Sequence, residues 1–251
     1  MAAIGERVGE ASLQAGAAAL RGFERYVVRS SIVPTTPFLD PALLPWTATL
    51  EAHWGDIRAE LDEVLLRRDD LPNFQDISTD QATITDDDRW KTFFLYGYGF
   101  KSEPNCARCP RTTALVEAVP GMTTAMFSIL SPGKHIEAHR GPYRGVLRYH
   151  LGLRIPEPSE AAGISVGGEI RHWSEGAGLL FDDGYEHFAW NDTDGLRVVL
   201  FMDVIRPLRR PAADLNRALI KAIAVSPFIR DAKRRHLDWE RRFAALTEGR
   251  S

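Results

Sequence analysis

The sequence predicts an antiparallel β-sandwich or barrel flanked by helices. Three observations carry that expectation. From residue 123 onward the apolar runs are short and separated by Gly, Pro or Asp turns, the pattern of hairpin-connected strands. Two segments before that point, 6–28 and 47–68, repeat apolar residues at helical spacing. A third helical stretch follows the last strand, from Asp214 to Leu246. The chain has 251 residues, 44% of them hydrophobic, enough for one sizeable core with extensions.

In chain order, Val8, Leu13, Ala17, Leu20 and Phe23 line one side of the first helix. "IVPTTPFLDPALLPW" (32–46) holds four prolines and reads as an extended connector. Residues 47–68 form the clearest helix, with Thr47 as cap and Leu50, Trp54, Ile57, Leu61 and Leu65 as its apolar stripe. A charged connector (69–89) precedes an aromatic-rich strand (90–100), and a short helix spans Thr113 to Val119. Strands are then expected at 123–130, 145–155, 163–168, 169–173, 178–183, 187–192 and 196–205. Pro227 breaks the helical tail. These divisions suggest an N-terminal extension (1–71), a β domain (72–211) and a C-terminal helical extension (212–251).

The formal net charge is -3 and the pI about 6.2, so no polyanion partner such as nucleic acid is favoured. No run approaches the roughly 20 apolar residues that span a bilayer. No basic leader with a cleavage site opens the chain, and the expected location is cytoplasmic, with peripheral membrane contact left open. Cys106 and Cys109 form an isolated CxxC with no second ligand pair, so reduced structural cysteines are expected over zinc or redox chemistry.

The segment "HIEAHRGPYRGVLRYHLGL" (135–153) concentrates three histidines and three arginines on what reads as a core strand. His139 stands before a Gly-Pro turn, and His187 follows the turn "DDGYEH". Arg197 opens a very apolar strand with no acid obviously facing it, and a bound carboxylate would meet that need through paired charge-assisted bonds. Arg148 and His150 share a strand face and again ask for an anion. Two histidines at strand ends and a deep arginine suggest a mononuclear metal with an anionic cosubstrate. The usual third ligand, a carboxylate two residues after the first histidine, is here Gly141. The rival reading is a set of packed or surface histidines, which His53, His135, His172 and His236 take.

At these residues the chain resembles the aspartyl/asparaginyl β-hydroxylase family of 2-oxoglutarate-dependent oxygenases. The likeness runs from about Pro72 to Pro207, densest in "CPRT", "FSILSPGKHIEAHRGP", "LRYHLGL", "WSEGAGLLFDDGYEHFAWN" and "RVVLFMDV". It implies a double-stranded β-helix, jelly-roll-like and cupin-type. It implies His139 and His187 as Fe(II) ligands, and Gly141 is compatible because family hydroxylases also carry glycine there. It implies Ser128 and Arg197 at the distal carboxylate of 2-oxoglutarate, Arg148 and His150 nearer its metal-binding end, and Asp183 as an acid orienting the iron's surroundings. The implied reaction uses O2, releases succinate and carbon dioxide, and hydroxylates an unactivated C–H bond. Peptide-hydroxylating relatives carry an arginine where this chain has Val146, and "TN" where it has Tyr143 and Arg144. The substrate-facing positions Arg144 and Val146 therefore point toward a small molecule, a lipid acyl chain or an amino-acid derivative. Hydroxylation of an Asp or Asn residue in a peptide, or a non-catalytic 2-oxoglutarate or metal sensor, remain as alternatives.

Overall fold

The computed structural model of the chain describes residues 22–78 and 84–248. Its strands are β1 (Phe38–Leu39), β2 (Trp90–Gly97), β3 (Phe100–Lys101), β4 (Met122–Leu130), β5 (Lys134–His139), β6 (Val146–Arg154), β7 (Ala162–Val166), β8 (Glu169–His172), β9 (Gly178–Phe181), β10 (His187–Asn191) and β11 (Arg197–Ile205). The helices are α1 (described over 22–29), α2 (Trp46–Ala52), α3 (Trp54–Leu65), α4 (Phe74–Ile77), α5 (Glu103–Arg108), α6 (Pro110–Glu117), α7 (Ala212–Ala224) and α8 (Pro227–Glu248). Two antiparallel sheets result. The larger runs β1-β9-β6-β11-β4-β2-β3, and the smaller runs β5-β10-β7-β8. The fold is mainly β with flanking helices, a double-stranded β-helix of the jelly-roll type.

The central strands are apolar on both faces because both faces are covered. On β11, Val198, Leu200, Met202 and Val204 join one core with Leu50, Ile57, Leu61 and Val116 of the helices. Val199 and Phe201 join a second core with Ile164, Val166 and Ala189 of the small sheet. Period-two geometry extends this second face to Arg197 and Asp203, and on β6 to Arg148 and His150. The site is built on that inter-sheet face. The outermost strand, β8, is short and exposed along its whole length, which limits edge-to-edge pairing. Its hairpin with β7 turns on Gly167 and Gly168, both at positive φ, as a two-residue turn between twisted strands requires.

Several expectations change at this level. The 47–68 helix is two helices. His53 ends α2 by donating its Nδ1–H to the Thr49 carbonyl at 2.9 Å. Thr47 is not a cap; its hydroxyl donates to Pro41 and Leu44 carbonyls, each at 2.9 Å. Residues 134–139 form a strand that the sequence did not announce, because its inward alternation includes Lys134. That ammonium is buried against Asp87 at 3.0 Å. The break expected near Pro227 is present: α7 ends at Ala224 and Pro227 opens α8, the position where a missing N–H costs least. Most of the 6–28 helix lies outside the described residues; its visible end stacks Phe23 on Tyr143 at 6.2 Å. Burial raises the Cys109 thiol to about 12 and the Cys106 thiol above its usual value, the opposite of a redox pair.

Leu61 is fully buried where α3 meets the main sheet. Leu61→Ala is expected to cost about 2–5 kcal/mol, read as a lower denaturant midpoint at unchanged slope in equilibrium unfolding.

Candidate active site

His139 ends β5, His187 opens β10, and the two are direct partners in that pairing. Their ring centroids lie 4.1 Å apart. Each ring is fixed by its own backbone two residues earlier. His139 Nδ1 donates to the Glu137 carbonyl at 2.7 Å, and His187 Nδ1 donates to the Tyr185 carbonyl at 2.9 Å. A carbonyl only accepts, so both rings carry hydrogen on Nδ1 and leave the lone pair on Nε2. The His187 Nε2 is buried with no hydrogen-bond partner among the described residues. Burial holds His139 below its ordinary value, and burial with the nearby Arg148 takes His187 to about 3. Two neutral imidazoles with adjacent free Nε2 atoms fit one borderline divalent cation.

The missing third ligand has a steric cause. A Cβ at Gly141 would stand 2.2 Å from Asp183 Oδ2. The Gly141 N–H donates to the Asp183 carbonyl at 2.8 Å, drawing the two segments together. Asp183 is committed elsewhere, its carboxylate 2.9 Å from Arg148 Nη2. Burial pushes this carboxyl above the usual range even though Arg148 opposes the shift. Among the described residues, no three His, Cys, Asp or Glu side chains converge as a ligand set.

Farther along the inter-sheet face stands a group of buried polar atoms with no partner. Arg197 is 1% exposed, and its Nε and Nη1 have no hydrogen-bond partner among the described residues. Its guanidinium lies 4.4 Å from the centre of the Trp173 ring. Burial alone lowers it to about 9, so it stays cationic at neutral pH. Trp173 Nε1, Thr92 Oγ1 and both ring nitrogens of His150 are also orphaned. Ser128 is the register partner of both Thr92 and Val199, and its hydroxyl accepts from Trp90 Nε1 at 3.0 Å. Native interiors satisfy nearly all such groups, so this cluster marks a place for a polar anionic ligand.

Other expected site residues sit differently. Arg148 was expected to seek an anion; it already has two, Asp183 and Asp203, the latter at 2.8 Å from Nε. Asp203 shares the Arg197 face of β11 six residues away, too far to neutralise it. His150 adds no cationic charge. Burial, then Arg197, Arg148 and His187, push it well below the usual value. Arg144 donates from Nε to Asp182 at 3.0 Å and lies 4.5 Å from the Tyr185 ring centre. Val146 is buried opposite Ile205. Neither Arg144 nor Val146 lines the cavity described next, because the Asp182 ion pair and the strand pairing hold them away.

That cavity, of about 380 Å³, opens over His139. His139, Gly141, Arg148 and Asp203 form its floor, and Phe74, Ile77, Trp90, Phe94 and Phe201 its apolar sides. Ile229, Ala232, Lys233 and His236 of α8 complete the wall. Sequence reasoning missed Trp173, Asp203, Tyr98 and the α8 residues. Asp203 was detectable as the one acid in a nine-residue apolar strand. Tyr98 was not: it lines the cavity from a left-handed backbone position (φ 42) that non-glycine residues seldom take. Spacing cannot foretell such a position.

Gly141→Ala is expected to lower the melting temperature clearly in the wild-type background and much less in an Asp183→Ala background. Thermal unfolding of the four proteins in that cycle measures the coupling. Additive effects would remove the steric account of the absent third ligand.

Comparison with known proteins places the chain. The family model described as aspartyl/asparaginyl beta-hydroxylase matches residues 51–207. An ornithine lipid ester-linked acyl 2-hydroxylase of Rhizobium tropici is 55% identical over 212 residues, covering 84% of this chain and 75% of that protein. The human aspartyl/asparaginyl beta-hydroxylase is 33% identical over 168 residues, 65% of this chain but 21% of its own length. Human aspartate beta-hydroxylase domain-containing protein 2 is 39% identical over 188 residues, 70% of this chain and 48% of its own length. With a family model covering more than half its length and the two histidines inside that span, the chain belongs to the aspartyl/asparaginyl β-hydroxylase family.

Proposed function

We propose that the chain is an Fe(II)- and 2-oxoglutarate-dependent hydroxylase acting on a lipid acyl chain. The observation that carries this reading is the apolar cavity whose floor includes His139, the strand partner of His187. An acyl chain offers a protein little besides apolar surface, worth about 0.8 kcal/mol per buried methylene. The sides of the cavity supply aromatic and aliphatic surface for it. An acidic peptide side chain would need a buried cation at the floor, and Arg148 there is already held by two carboxylates, while the other cations lining the cavity, Arg140 and Lys233, are exposed to water. The Rhizobium tropici relative is named for hydroxylating a lipid acyl chain, which supports the same substrate class.

His139 and His187 would hold the iron through their free Nε2 atoms. Bound Fe(II) would supply the redox chemistry by which O2 and 2-oxoglutarate yield succinate, carbon dioxide and a hydroxylated product. Arg197 and Ser128 would grip the distal carboxylate of 2-oxoglutarate in a dry interior, where an arginine–carboxylate pair is strongest. His150, neutral and packed among Trp173, Phe181 and Phe201, would present ring nitrogens to the cosubstrate without adding charge. Asp183 would act through position, keeping Arg148 and the Gly141 backbone in place. The surrounding apolar residues would keep water from the reacting centre.

The direct test supplies Fe(II), 2-oxoglutarate and O2 with an ornithine lipid in neutral detergent micelles. Succinate release with a lipid product one oxygen heavier is expected, and an Asp-containing peptide is expected to give neither. Peptide hydroxylation without lipid turnover would overturn the substrate class. His139→Ala and His187→Ala should each lose Fe(II) occupancy and turnover; full activity in both would remove the metal assignment. Arg197→Met should keep the metal but weaken 2-oxoglutarate at least ~30-fold, from the roughly 2–5 kcal/mol that truncating one partner of a buried charge pair costs. Titration calorimetry showing unchanged affinity would reject Arg197 as the anchor.

A further inference from the structure

We propose that α7 and α8 form a docking surface for an anionic bilayer, set so that the acyl cavity opens at the membrane. The inference rests on the lipid-acyl reading of the cavity. It starts from a charge asymmetry. The chain as a whole has net charge -3, yet residues 206–248 hold eleven Lys and Arg against five Asp and Glu. All of those cations except Arg206 are exposed.

The two helices place this charge beside exposed apolar surface. On α7, Leu215, Ala218 and Ala222 fall on one side at helical spacing, and Val225 continues the line at its end. Leu215 is 48% and Val225 71% exposed, with Arg217 and Lys221 on the flank. On α8, Arg230, Arg234, Leu237 and Arg241 share one side by their i, i+4, i+7 and i+11 spacing. The opposite side, with His236, Trp239 and Phe243, is buried. Lys233 joins the two functions: it is exposed, one turn before Leu237, and it lines the cavity.

An apolar stripe bordered by cations suits a surface that is both greasy and anionic, as interfacial helices do. A nucleic acid would satisfy the arginines but leave Leu215 and Val225 in water. Among the described residues no helix is long and apolar enough to cross a membrane, so the contact lies along the surface. Docked this way, α8 is at once the wall of the cavity and the edge resting on the lipid headgroups. An acyl chain then reaches the histidine pair without leaving an apolar environment.

The test is sedimentation of the full chain with vesicles of phosphatidylcholine alone or with about one third phosphatidylglycerol, where a basic residue gains most. The wild type is expected to pellet with the anionic vesicles, not the neutral ones, and to be released at about 1 M salt, where charge is screened within roughly 3 Å. A juxtamembrane cation contributes about fivefold. The triple variant Arg230→Gln, Arg234→Gln, Arg241→Gln should bind at least ~10-fold more weakly, a figure reduced because Asp231 and Asp238 already pair with two of the three. Leu215→Ser with Val225→Ser should weaken binding independently. Both variants alter exposed side chains, circular dichroism checks their helicity, and both should match wild-type turnover in neutral micelles while losing it on anionic vesicles. Unchanged vesicle binding in both, equal pelleting with neutral vesicles, or retention on polyuridylate without vesicle binding would each overturn the docking surface. Wild-type failure to hydroxylate lipid in micelles would instead count against the lipid-acyl reading itself.

Discussion

Arg148 is the point on which this structure turns. It lies at the centre of the main sheet, held between Asp203 of the neighbouring strand and Asp183 of the segment that crosses to the small sheet. Burial works against its charge, and the two carboxylates more than offset that, raising it above its ordinary value. Removing one partner of such a buried cluster typically costs about 3–5 kcal/mol. The ion cluster therefore fixes where the chain leaves one sheet for the other. His187 opens β10 four residues after Asp183, so the corner that Arg148 holds also sets one of the two imidazoles. The same carboxylate fills the space above Gly141, so the ion cluster and the two-histidine character of the site have one cause.

The inter-sheet face then divides into two ends. Near Asp203 lie the paired charges, the histidine dyad and the cavity floor. At the other end of β11, six residues and roughly 20 Å along the strand, Arg197 lies over Trp173 with no ion partner among the described residues. The buried arginine is paired at the first end and unpaired at the second. A carboxylate of the proposed cosubstrate would suit the unpaired arginine, with the rest of that molecule pointing along the face toward the histidines. His150 stands between them. Its neutrality keeps the path from carrying a second uncompensated cation, which a dry interior would tolerate poorly.

Much of this was legible in the sequence because strands advertise themselves by period. Seven of the strands after residue 120 carry uninterrupted apolar or alternating runs between turn residues, and their number and spacing point to the sandwich. His139, His187 and Arg197 were legible for a related reason: titratable or cationic groups at turns and on apolar strands conflict with burial unless something binds them. The rest was hidden by partners distant in sequence. Lys134 disguised β5 because its counter-ion, Asp87, comes from the charged connector. Arg148 read as an anion seeker because nothing local shows that Asp183 and Asp203 converge on it. Arg144 and Val146 were drawn toward the substrate by resemblance, whereas Asp182 and the β6–β11 pairing decide where they go. The packing of α8 over the cavity is a tertiary event between residues more than a hundred positions apart, and periodicity is silent about such contacts.

This arrangement separates chemistry from selection. The floor of the cavity comes from strand ends and turns inside residues 51–207, the span the family model matches. Part of its wall comes from α8, wholly outside that span. A change in α8 alters the width, polarity and approach of the cavity without disturbing the imidazole tautomers, the Arg148 cluster or the Arg197 pocket. Those depend on backbone carbonyls and strand register that α8 does not touch. A family with one reaction core can thus meet different substrates in different members by exchanging the elements around the rim. In this chain those elements are basic, amphipathic and placed against the mouth of an apolar cavity, and that combination favours a lipid over a peptide as the substrate the floor receives.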